Sequence, residues 1–111
     1  MRAKIHWKTQ QQGGRREPPI GVGHPPYAAV VRFNDSTEPW PPPTAWSMVV
    51  EKIPELSQTN DWVANIRFLV SEAPAAELRP DREFELFEGA KCVATGVTVA
   101  EIANATRRRI A

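Results

Sequence analysis

The chain has 111 residues, of which 41% are hydrophobic and 24% charged, with a formal net charge of +1. These values fit one globular domain with a modest core and argue against the strongly basic footprint of a dedicated nucleic-acid binder. Its single cysteine, Cys92, excludes an internal disulfide framework.

Met1 to Trp7 alternates charged and apolar residues, so Ala3, Ile5 and Trp7 read as the buried face of a strand with Lys4 and His6 outside. The same alternation leaves no apolar core for a signal peptide, and no run approaches the ~20 apolar residues of a membrane-spanning helix. Cytoplasm is the expected compartment. Residues 9–26 carry glutamines, glycines and prolines and are expected to form a long loop. Tyr27 to Phe33 is β-branched and aromatic enough for a second strand. A second loop runs from Asn34 to Thr44, where Pro39, Pro41, Pro42 and Pro43 surround Trp40 and favour extended, polyproline-like backbone.

Trp46, Met48 and Val50 alternate with polar neighbours in a third strand that Pro54 closes. The clearest alternation follows, with Trp62, Ala64, Ile66, Phe68 and Val70 on one face. Ala75 to Leu78 suits one helical turn. Phe84 and Leu86 form a fifth strand, Glu88-Gly89-Ala90-Lys91 a hairpin turn, and Val93, Thr95, Val97 and Val99 a sixth strand. No helix long enough for a parallel crossover separates these segments. The expected fold is therefore all-β, a closed six-stranded antiparallel β-barrel over residues 1–102, with a two-sheet sandwich as the competing arrangement. Residues 103–111, including Arg107, Arg108 and Arg109, are expected to form a basic C-terminal tail.

With those elements in order, the chain resembles the C-terminal, third β-barrel domain of elongation factor Tu, as a stand-alone domain. The resemblance is carried by Gly13, Gly14, Arg15, Pro18 and Pro25, then Tyr27 opening an apolar strand and Arg32 near its end. It continues through Asn65 to Val70, Pro74, Arg82 to Gly89, and the glycine-containing strand Val93-Ala94-Thr95-Gly96-Val97. It spans most of residues 3–99 and implies a six-stranded antiparallel barrel. In the elongation factor this domain helps hold the T-stem of aminoacyl-tRNA through loops around the Gly-Gly-Arg phrase, and only Gly13, Gly14 and Arg15 carry over. No GxxxxGK[ST] phosphate loop is present, so no nucleotide is expected.

Catalytic material is sparse. His6 and His24, with Cys92 on another strand, have no zinc-ligand spacing, and Cys92 reads as a small buried hydrophobe. No Gly-x-Ser-x-Gly elbow is present, and Glu83, Glu85 and Glu88 read as a solvated strand face. The chain is thus expected to be no enzyme, with no metal and no cofactor. Binding has more to work with. Gly13, Gly14, Arg15 and Arg16 offer backbone N–H groups and guanidinium forks to a phosphate, or else make a turn with solvated arginines. Trp40 and Trp46, with His24 and Tyr27, offer an aromatic platform, or else Trp40 plugs an open barrel end. The expected function is a binding module whose partner is another protein, met through the loops around residues 13–26 and 34–44. A structured RNA read by Arg15, Arg16 and the arginine tail is the alternative, and a small-ligand binder or enzyme using the aromatic loop region is a third. A membrane is not an expected partner.

Overall fold

The alternating segments become six strands: β1 (Arg2–Trp7), β2 (Tyr27–Phe33), β3 (Trp46–Lys52), β4 (Asp61–Phe68), β5 (Glu83–Glu88) and β6 (Lys91–Val99). In the computed structural model, which describes residues 1–37, 39 and 45–100, they close into an antiparallel barrel in the order β1-β4-β3-β2-β5-β6. Closure pairs β6 with β1 and, among the described residues, leaves no unpaired strand edge, which settles the choice against a sandwich. Trp40 and the arginine tail lie outside the described residues.

Facing residues of antiparallel strands project to the same side. Ile5 opposes Trp62 on β4 and Gly96 on β6, and Trp7 opposes Ala94. The barrel interior is therefore filled by Ile5, Trp7, Met48, Val50, Trp62, Phe84 and Leu86, all buried. Gly96 is required there, because a Cβ at that position would come within 2.5 Å of the Phe84 ring. Large side chains on the two flanking strands, β1 and β5, meet small ones on β6, which is how a narrow barrel fills without overpacking.

Two expectations need correction. β4 ends at Phe68, so Val70 is exposed rather than part of the core face. On β6 beyond Val93 the inward set is Ala94, Gly96 and Thr98, not Val97 and Val99. A register shift at Leu86/Phe87 lets Val93 stay buried while Thr95, Val97 and Val99 turn outward. The single helical turn is present as a 3-10 turn at Ala75–Glu77.

Register also sorts the connections. Tyr27 pairs with Val50 and Val31 with Trp46, so Tyr27 and Trp46 stand four positions apart along the barrel wall. At ~3.3 Å per residue that is about 13 Å. Residues 8–26, 53–60 and 89–90 emerge at the Tyr27 mouth, whereas residues 34–37 and 69–82 emerge at the Phe33 mouth. The described start of the second loop, residues 34–37, therefore lies at the end of the barrel opposite residues 8–26.

Candidate functional site at the Tyr27 mouth

The loop after β1 begins with a tight fold. Thr9 Oγ1 accepts the Gln12 N–H at 3.2 Å, and Gln12 Oε1 accepts the Thr9 N–H at 2.9 Å, a reciprocal cap on the 3-10 turn Gln10–Gln12. Gly13 ends that turn at φ 90°, donating to Gln10 O, and Gly14 donates to Thr9 O. A side chain at Gly14 would run into the Lys8 carbonyl. The two glycines thus turn the chain back against β1, which aims Arg15 at the barrel mouth.

Arg15 is only partly solvated there. Its Nη1 lies 2.5 Å from Glu88 Oε2, its Nε donates to Glu17 O at 3.0 Å, and its Cζ sits 5.7 Å from the Tyr27 ring centre. The same Glu88 oxygen accepts the Tyr27 hydroxyl at 2.5 Å. Burial first, then the hydrogen bond to Glu88, pushes the Tyr27 phenol well above the usual tyrosine range. Tyr27 also packs edge-on against Trp7, which packs edge-on against Trp62 at 4.8 Å. Glu88, expected on a solvated face, instead ties the loop to the β5–β6 hairpin.

Farther along, Gly21 is buried at φ 80°, and a Cβ there would meet the Trp62 ring at 2.5 Å. Its carbonyl accepts the Lys52 N–H at 2.8 Å, and Lys52 Nζ lies 5.2 Å from the Trp62 ring centre. The loop is anchored at Gly14, Arg15 and Gly21, and it covers the mouth. The residues flanking the last anchor therefore point away from the protein: Ile20 is 79% and Val22 52% exposed. Leu56, on the β3–β4 connection at the same mouth, is 50% exposed. Sequence reasoning missed all three. The pattern Ile-Gly-Val was the available signal, since a buried glycine between two aliphatics turns both outward.

Of the expected binding residues, the structure brings Gly13, Gly14, Arg15 and Tyr27 together and leaves Arg16 and His24 exposed in the same loop. Trp46 is not among them. It lines a separate cleft of about 540 Å³ at the Phe33 mouth, with Phe33, Phe68, Pro39 and Arg82. At that mouth Arg82 is buried, with its Cζ 3.9 Å from the Phe33 ring centre. Arg82 pairs with Asp35 and, at 2.5 Å, with Glu77 Oε1, tying together the two connections of that end. The Arg82 hydrogen bond holds the Asp35 carboxyl below its ordinary range.

A third feature is a shallow groove of about 740 Å³ on the outer wall, where His6 Nδ1 lies 2.8 Å from Asp61 Oδ1. Neither cleft is lined by His24 or Tyr27. Among the described residues no group of three or more His, Cys, Asp or Glu is placed to hold a metal ion, and no helix is long and apolar enough to cross a membrane. Cys92 is partly exposed rather than buried, and desolvation raises its thiol pKa, away from a reactive thiolate. No family model matches the chain, and no curated protein matches it.

Proposed function

We propose that this chain is a non-enzymatic binding module, a stand-alone relative of the third domain of elongation factor Tu, that meets a protein partner through its Tyr27 mouth in the cytoplasm. The closed six-stranded antiparallel barrel agrees with that kinship without being particular to it. The observation that carries the reading is the anchored loop. Three fixed points hold it, yet Ile20 and Val22 contribute nothing to the barrel core and face outward. Aliphatic side chains displayed on a braced scaffold lose little conformational entropy on contact, which favours association.

Charge separates this reading from RNA recognition. The strand ends and connections at this mouth carry Lys8, Arg15, Arg16, Lys52 and Lys91 against Glu17, Glu51, Glu55, Asp61 and Glu88, so positive and negative groups balance. Arg15, the guanidinium that a phosphate would need, is already matched by Glu88. Phosphate-driven binding relies on a net positive surface that releases counterions. An apolar contact with a neutral rim is what a protein surface offers.

The test is a double substitution, Ile20→Asp with Val22→Asp. Both sites are exposed, so the circular dichroism spectrum is expected to stay unchanged and stability to move by no more than about 0.5 kcal/mol at each site. A partner captured by the unsubstituted chain is expected to be lost. Retained capture refutes the assignment, and tight, steeply salt-dependent binding of a structured RNA at low salt supports the alternative.

A further inference from the structure

We propose that Glu88 is the positioning residue of the docking loop: its carboxylate, 73 positions away in sequence from Arg15, holds the loop in the form that displays Ile20 and Val22. The inference rests on the docking assignment above and adds what controls it.

Three contacts carry it. One oxygen, Oε2, takes both Arg15 Nη1 and the Tyr27 hydroxyl, each at 2.5 Å. Arg15 and Glu88 are each about one-third exposed (32% and 35%), so the pair is screened from water without being sealed off. Tyr27 itself belongs to β2 and packs edge-on against Trp7, so it is fixed by the barrel and cannot follow the loop. Glu88 closes β5 beside the hairpin glycine Gly89 and is likewise set by the barrel. The loop therefore meets a rigid acceptor on a rigid ring, and only Arg15 has to be in place for the match. A charge-assisted hydrogen bond of this kind is about twice as strong as a neutral one. Past Arg15, the backbone runs through Pro18 and Pro19, whose fixed φ limits how far Gly21 can depart from its seat on Trp62 while Arg15 is held. Losing the carboxylate charge would thus loosen both anchors, and the partner-facing residues would pass from one arrangement to many.

The experiment is site-resolved amide hydrogen exchange on the intact chain, comparing the unsubstituted protein with Glu88→Gln and Tyr27→Phe. Three amides report the loop: Gly13 and Gly14, which donate to Gln10 O and Thr9 O, and Lys52, which donates to Gly21 O. Ala64 and Ile66 report the barrel. Glu88→Gln keeps the size and an acceptor for Tyr27 but removes the charge, and it is expected to speed exchange of the Gly14 and Lys52 amides about tenfold, with the barrel amides unchanged. Tyr27→Phe, which keeps the Arg15–Glu88 pair, is expected to have a smaller effect. Reversing the pair, Arg15→Glu with Glu88→Arg, is expected to restore most of the lost protection, which a merely space-filling role of Glu88 would not produce. Unchanged loop exchange in Glu88→Gln, or loss of protection spread equally over loop and barrel, overturns the proposal. The docking assignment fails separately, if the Ile20 and Val22 substitutions leave capture intact. A partner captured about tenfold more weakly by Glu88→Gln, although its side chain lies beneath the display, supports both.

Discussion

Gly21 gives the sharpest quantitative test of how the long loop meets the barrel. Gly21 and Gly23 both have a positive φ, 80° and 98°, but different surroundings. A Cβ at Gly23 meets nothing within 4 Å, whereas one at Gly21 comes within 2.5 Å of Trp62 and 2.9 Å of the Lys52 side chain. Trp62 has no room to yield, because it is buried and packed edge-on against Trp7. Alanine at either site carries the left-handed penalty of about 1–2 kcal/mol. At Gly21 alone it adds overpacking of about 1–3 kcal/mol, or the loss of the docked loop if that is smaller. Gly21→Ala is therefore expected to cost about 2–5 kcal/mol in total and Gly23→Ala about 1–2 kcal/mol. Urea unfolding followed by circular dichroism measures both. With a denaturant slope of about 1–3 kcal/mol per molar, an excess of ~2 kcal/mol separates the two midpoints by roughly 1 M. Coincident midpoints would refute the reasoning, because they would mean that the loop does not rest on Trp62.

Three further outcomes follow from the same geometry. Tyr27 is the only tyrosine, so phenolate absorbance reports it alone. Its phenol pKa is raised by burial and by Glu88, so it is expected to stay protonated well past the ~10 of a free tyrosine, and Glu88→Gln is expected to bring its titration down. A raised folded value means that this contribution to stability is complete below about pH 10 and lost as the pH climbs toward the folded value. At the other mouth the sign is reversed: Asp35 is held below its ordinary range by Arg82. Its contribution is present above about pH 4 and lost as the pH falls through the lower folded value, so Asp35→Asn is expected to flatten the acid limb of a melting-temperature profile. Finally, Gly96→Ala is expected to destabilise the barrel by about 1–3 kcal/mol through collision with Phe84, measurable as a lower urea midpoint.

Strand identity was legible because period-two alternation in β1, β3 and β4 reflects a wall with one wet and one dry side, and closure follows from six such segments with no helix to cover an edge. The face of β6 was not legible. Val97 and Val99 look like core residues by hydrophobicity, but the register against β1 puts Gly96 and Ala94 opposite Ile5 and Trp7. Barrel volume, which one strand cannot reveal, decides that exchange of large for small. At the candidate site, Gly13, Gly14 and Arg15 were visible as a phrase, and so was the turn they make. Their partner was not, because Glu88 sits among other glutamates and only the closed topology brings it under Arg15. The separation of two aromatic candidates was hidden for the same reason: Tyr27 and Trp46 occupy opposite mouths, which only the strand register reveals.

The central claim is that residues 8–26 lie folded across the Tyr27 mouth and turn their aliphatic side chains outward. Proton–proton nuclear Overhauser contacts between the Gly21 α-protons and the Trp62 indole ring measure this most directly. The account predicts strong contacts from Gly21 and none from the Ile20 or Val22 methyl groups to that ring. Methyl contacts in place of those from Gly21, or no loop contact to Trp62 at all, would contradict it.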